Sequence, residues 1–140
     1  MQRHKSQVQD LMTKNPFVVE PDTTLLDAYT LMFEKEIRRL PVVHDKTLVG
    51  IVTLSDIQRA VPSIFEAADI GTRLQATTLT VGDVMVADPV TVAPEDTIQD
   101  VAEQMLENQV SALPVVQNDR VIGIITESDI FKFIVASWSE

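Results

Sequence analysis

The chain carries itself twice, and this repeat constrains its fold more than any other feature. Sliding the 140-residue sequence against itself by about 73 positions aligns Val8–Val61 with Val81–Ile134 without a gap, and about 20 of roughly 54 aligned positions are identical. The identities fall in blocks. Asp10 and Met12 match Asp83 and Met85; Pro16, Val19 and Pro21 match Pro89, Val92 and Pro94; Thr24 and Asp27 match Thr97 and Asp100. Leu40-Pro41-Val42-Val43 matches Leu113-Pro114-Val115-Val116. Gly50-Ile51-Val52-Thr53-Leu54-Ser55-Asp56 returns as Gly123-Ile124-Ile125-Thr126-Glu127-Ser128-Asp129. The matched residues are turn, cap and core types, so the halves share one fold unit.

Read in order, the first half predicts β-α-β-β-α. Ser6 to Met12 has room for one helical turn, which Asn15-Pro16 breaks. Phe17-Val18-Val19 reads as a short strand closed by Glu20-Pro21. Thr24 fits a capping box with Asp27, and Leu25, Ala28, Leu31 and Met32 follow at helical spacing, predicting a helix to about Lys35. Leu40 to Val43 reads as a strand with its proline near the start, where no ladder donor is lost. His44-Asp45-Lys46 is a tight turn, Leu48 to Thr53 the returning strand, and Ser55 to about Val61 a second helix that Pro62 ends. The second half repeats the plan: a strand at Val90–Val92, a cap at Thr97 with Asp100, and a hairpin of Leu113–Val116 and Val121–Thr126 turning at Asn118-Asp119. A helical pattern from Ile130 to Val135 closes it. Ile64, Phe65 and Ala68 fit a helical turn in an otherwise partly ordered connector. The expected organisation is α/β (α+β): repeats at 8–61 and 81–135 and a connector at 62–80. A three-stranded sheet with two helices leaves an apolar face uncovered, so the two repeats are expected to pack sheet to sheet about a pseudo-twofold axis.

Bulk properties exclude several functions. The net charge is −10 and the pI about 4.5, which opposes binding to nucleic acid or to an anionic membrane. There is no cysteine, hence neither a disulfide framework nor a thiolate zinc site. No apolar run approaches the ~18 residues that span a bilayer, and the N-terminus lacks a signal-peptide pattern, so a soluble cytoplasmic protein is expected. His4 and His44 lack metal-ligand neighbours. No serine has a histidine at suggestive spacing. Neither a catalytic nor a metal site is expected.

What remains is the twice-carried glycine-to-aspartate stretch. Each copy reads as a buried strand feeding a helix N-terminus, where free backbone N–H groups can hold an anion or a sugar hydroxyl. Thr53-x-x-Asp56 and Thr126-x-x-Asp129 each also fit a capping box. A carboxylate offers about four lone-pair sites, so the aspartate can serve the cap and still accept from a ribose diol. Ser55 and Ser128 add a hydroxyl at the same helix starts. Ahead of the Leu-Pro-Val-Val strands stand Ile37-Arg38-Arg39 in one half and Val110-Ser111-Ala112 in the other. Adjacent guanidinium groups suit a phosphate, although they also suit the C-terminal end of a helix dipole. Only the first half offers cations there, so two unequal sites are expected.

These residues resemble a known family. The Gly-x-x-Thr-x-Ser-Asp tails, the Leu-Pro-Val-Val strands, the Met-x-x-x-Pro openings at Met12–Pro16 and Met85–Pro89 and the unit length are similar to those of a tandem cystathionine-β-synthase-type (CBS) domain pair, the Bateman module, from about Val8 to Val135. The resemblance implies a regulatory sensor, not an enzyme. It would bind adenosine-containing ligands (AMP, ADP, ATP, NAD or S-adenosylmethionine) in clefts between the repeats and signal by conformational or oligomeric change. It implies that Thr53, Ser55, Asp56, Thr126, Ser128 and Asp129 hold ribose and phosphate. The Asp129 site would take its base contacts from Thr13 and from Ile37, Arg38 and Arg39; the Asp56 site would take them from Val110, Ser111 and Ala112. The nucleotide is then a regulatory ligand, with no catalytic cofactor. A homodimer formed through the helices and a separate effector protein are implied as partners. The alternative is a CBS-like scaffold that binds no ligand and serves protein interaction, which the Ser111-Ala112 departure favours.

Overall fold

The computed structural model describes residues 6–64 and 69–138. In chain order its elements are α1 (Val8–Leu11), β1 (Thr13–Lys14), α2 (Leu25–Lys35), β2 (Arg39–His44), β3 (Thr47–Thr53), α3 (Leu54–Ala60), α4 (Ile70–Thr78), α5 (Val81–Val84), β4 (Val86–Ala87), α6 (Ile98–Asn108), β5 (Ala112–Gln117), β6 (Arg120–Thr126) and α7 (Glu127–Trp138). They form two compact units. One is Phe17–Asp88; the other joins the chain up to Pro16 with the chain from Pro89 onward.

In the Phe17–Asp88 unit, β2, β3 and β4 form an antiparallel sheet in that order. The β2–β3 turn places Asp45 and Lys46 at φ 49° and 70°. That backbone matches the right-handed twist of the flanking strands. Thr24 caps α2 by accepting the Asp27 N–H at 3.1 Å. The helix ends with Glu36 in the left-handed region (φ 55°) and the Ile37 N–H returning to the Met32 carbonyl at 2.9 Å. This Schellman closure turns the chain from α2 straight into β2. Leu25, Ala28 and Met32 of α2, Leu40 and Val42 of β2, Val52 of β3 and Ile57 of α3 make one buried core.

The unrepeated segment differs from expectation. About half of it is α4, capped by Asp69, which accepts the Thr72 N–H at 3.0 Å. The helix packs against α2 and buries Thr72 and Ala76. Ile64 is also buried in the core. Phe65 and Ala68, the rest of the expected helical turn, lie outside the described residues.

The second unit repeats the first. Its sheet runs β1-β6-β5, its turn holds Asn118 and Asp119 at φ 54° and 65°, and Gln109 takes the left-handed position (φ 54°) after α6. Thr97 and Asp100 complete a two-way capping box on α6. Val8, Val92, Ile98, Val101, Leu113, Val115, Ile125 and Ile130 form its core.

The third strand of each sheet is not the one expected. Phe17–Val19 and Val90–Val92 form no strand. Only Val19 and Val92 touch a sheet, each in a single parallel bridge, to Val42 and Val115. Prolines at both ends of each segment leave too little backbone for a ladder. The edge strands lie just upstream of those prolines. β1 pairs antiparallel with β6 (Thr13 opposite Ile124), and β4 pairs antiparallel with β3 (Val86 opposite Ile51). Each hairpin therefore takes its edge strand from the opening of the other repeat.

The repeated glycines serve that pairing. Neither has a positive φ. A Cβ on Gly50 would stand 2.5 Å from the Met85 Sδ and 3.0 Å from the Val86 carbonyl oxygen; on Gly123 it would press on Met12 and stand 3.0 Å from the Thr13 carbonyl oxygen. Glycine lets the residues entering the edge strand lie close against the hairpin.

Candidate functional site

Each sheet delivers its central strand into a helix without a loop, at Thr53 and at Thr126. The Thr53 hydroxyl accepts the Asp56 N–H at 3.1 Å, and the Asp56 Oδ2 accepts the Thr53 N–H at 3.0 Å. In the second copy the Asp129 Oδ2 accepts the Thr126 N–H at 2.9 Å, and the Thr126 hydroxyl lies 3.3 Å from the Asp129 N–H. The sequence spacing thus forms both boxes, and each commits one carboxylate oxygen to the backbone.

The segment before the Leu-Pro-Val-Val strand lies beside this corner in each unit. Arg39 is opposite Thr53 in register, and the Leu54 N–H donates to the Arg38 carbonyl at 2.8 Å. Ala112 is opposite Thr126, and the Glu127 N–H donates to the Ser111 carbonyl at 3.0 Å. Ile37, Arg38 and Arg39 are therefore gathered with Thr53, Ser55 and Asp56 in one unit. Val110, Ser111 and Ala112 are gathered with Thr126, Ser128 and Asp129 in the other, and Thr13 joins them on β1.

Exposure sorts these residues. Ser55, Ser128, Arg38, Val110 and Thr13 are exposed, Asp56 and Asp129 are half-buried, and Ala112 is buried. Ala112 can therefore offer a ligand little beyond its backbone. Among the described residues neither the Ser55 nor the Ser128 hydroxyl hydrogen-bonds to protein. A groove of about 860 Å³ is lined by Tyr29, Phe33, Ile37, Arg38 and Leu54. It reaches the arginine segment but not Asp56.

The two carboxylates differ in one respect that the repeat pattern did not reveal. The Asp56 Oδ1, its second oxygen, is held by the Arg59 guanidinium at 3.2 Å. Lys132 occupies the matching position in the second repeat, and among the described residues it makes no ion pair with Asp129. Acid and base three apart on a helix was the sequence signal for this contact. No cluster of metal-ligating side chains occurs among the described residues. No helix among them is long and apolar enough to cross a membrane.

Comparison with known proteins agrees with this arrangement. The CBS domain model matches residues 8–63 and 81–136. A protein of Methanocaldococcus jannaschii is 35% identical over 129 residues, covering 90% of this chain and 46% of that protein. A homoserine O-acetyltransferase of Methanohalobium evestigatum is also 35% identical over 129 residues, which span 91% of this chain and 24% of the enzyme. The chain thus spans less than half the length of these relatives. Among solved structures, CBSX2 from Arabidopsis thaliana in complex with AMP is similar at 32% identity and a TM-score of 0.77, covering 94% of this chain and 98% of that one. The CBS domain pair of protein MJ0100, in complex with 5-methylthioadenosine and S-adenosyl-L-methionine, is similar at 26% identity and a TM-score of 0.79, covering 94% of this chain and 98% of that one.

Proposed function

The chain belongs to the CBS domain family, and on that premise we propose that it is a regulatory module whose ligand carries an adenosine. The observation that carries this reading is the Asp129 corner. One carboxylate oxygen holds the helix start, and no described residue bonds the other. A ribose diol asks for such an acceptor, and the exposed Ser128 hydroxyl beside it suits a phosphate. Arg38 and Arg39, which the resemblance assigns to base contacts of the Asp129 site, lie beside the Asp56 corner within their own unit, and their charge favours a phosphorylated ligand there. The two similar structures solved with AMP, and with methylthioadenosine and S-adenosylmethionine, support adenosine as the shared element.

The module does no chemistry on its ligand in this reading. It acts by linkage: a ligand that binds one arrangement better than another shifts the population toward it. Exposed Leu106 on α6 and Phe131 and Trp138 on α7, with Phe33 on α2, give the helices apolar faces that suit a second copy of the chain. The signal then passes to an effector.

Calorimetry with AMP, ATP, NAD and S-adenosylmethionine tests the proposal. Asp129→Ala is expected to weaken binding at its own site by about 1.5–3 kcal/mol, the range for a hydrogen bond to a charged group. Sedimentation of the same samples reads whether the ligand changes the oligomer. Unchanged affinity in both Asp56→Ala and Asp129→Ala would leave these carboxylates with helix capping alone. A ligand-free scaffold, the second reading, is favoured by the Arg59 contact at Asp56 and requires no binding of any of the four.

A further inference from the structure

We infer that Arg59 competes with the ligand for the Asp56 carboxylate, so that a neutral nucleoside fills the Asp129 site first. The inference rests on the nucleoside reading of the two corners and concerns how they differ. In both copies Oδ2 is committed to the backbone N–H of the capping threonine, at 3.0 Å for Asp56 and 2.9 Å for Asp129. A ribose hydroxyl must therefore use chiefly Oδ1. At Asp56 that oxygen is already held by the Arg59 guanidinium at 3.2 Å. At Asp129 the matching side chain is Lys132, whose ammonium holds no described carboxylate. The aspartate side chain is only 11% exposed, whereas Arg59 is 74% exposed. A ligand can thus push the arginine into water without disturbing the core. The cost of doing so is that of one exposed ion pair, which is small.

The chemistry separates two kinds of ligand. For uncharged adenosine, Arg59 is only a rival. For AMP, the displaced guanidinium remains a cation close to an anionic ligand, and Coulomb attraction returns part of what competition removes. Arg59 thus biases the first repeat toward phosphorylated nucleosides, in the same sense as Arg38 and Arg39. Lys132 sets no matching competitor against the ribose in the second.

The test is calorimetry on the whole chain with adenosine and AMP as probes. In an Asp129→Ala background, adding Arg59→Ala is expected to tighten adenosine binding about two- to fivefold, the range for releasing an exposed ion pair. The gain for AMP is expected to be smaller. In an Asp56→Ala background, Lys132→Arg is expected to weaken adenosine binding. If Asp129→Ala melts the chain, Arg59→Ala and Lys132→Arg alone, fitted to two sites, make the same comparison. Measurable adenosine binding that Arg59→Ala leaves unchanged would overturn the inference while leaving the nucleoside reading intact. An unmutated chain that binds no adenosyl ligand, or an Asp56→Ala/Asp129→Ala chain that binds as well as the original, would instead overturn the reading beneath it.

Discussion

Gly50 and Gly123 show how one residue's identity can be set by a partner distant in sequence. Each lies in a strand that any residue could extend, yet the approach of Met85 or Met12 leaves no room for a methyl group. Gly50→Ala is expected to destabilise the chain by about 1–3 kcal/mol, the cost of overpacking a close contact. Thermal or urea denaturation reads this, and Met85→Ala in the same chain should recover part of the loss. Full recovery is not expected, because the Val86 carbonyl stands against the same position. At this scale the capping geometry was legible. The capping boxes at Thr53, Thr97 and Thr126 follow from threonine and aspartate three apart, and local hydrogen bonding settles them. The Arg59 contact has the same local spacing. Its meaning depends on which carboxylate oxygen the backbone already holds, and spacing does not give that.

Elements were legible where their apolar pattern matched their burial. α2 and α6 bury Leu25, Ala28 and Met32, and Ile98, Val101 and Met105, at the spacing that predicts a helix, whereas Leu106, on the apolar face that the same spacing predicts for α6, is 81% exposed. α4 inverts the rule. Its large apolar residues Ile70 and Leu74 face outward, at 84% and 66% exposure, while Thr72 and Ala76 are buried. Its sequence reads as a weak helix, with Gly71 and three threonines. Its start depends on Asp69, whose carboxyl is held below its ordinary value of 3.8 chiefly by the hydrogen bond from the Thr72 backbone and then by the Thr72 hydroxyl. A lowered folded value means that the charged cap contributes its full stability above pH 3.8. That contribution falls away as pH drops through the lower folded value. The stability gap between the natural chain and Asp69→Asn should therefore be largest near neutral pH and shrink below about pH 3.8, as read by thermal melting at pH 7 and pH 3. A gap independent of pH would mean that the charge contributes nothing to the cap. The edge strands escaped notice for another reason: two residues, Thr13–Lys14 or Val86–Ala87, are too few to show alternation.

For the whole molecule, the repeat in sequence and the unit in space do not coincide. A fragment of residues 8–61 holds one complete repeat but lacks β4, α4 and α5, and with them buried Ile64, Ala76 and Val81. A fragment of residues 17–88 holds the whole β2-β3-β4 sheet and its core. The second is expected to melt cooperatively by circular dichroism and the first is not; equal cooperativity would mean that β4 is dispensable to its sheet. The repeat was plain in the sequence because it lies in residue identities. The strand exchange was hidden because pairing between distant segments leaves no local mark. The exchange also sets a schedule for synthesis. As the chain leaves the ribosome, β2, β3 and β4 are complete once Ala87 has emerged, and that unit can close on its own contacts. β1 is made before any of them, yet Thr13 and Lys14 must wait for Ile124 and Gly123. Among the described strands β1 is thus the earliest made and the last to be paired, and this long-range closure is the step expected to set the pace of folding.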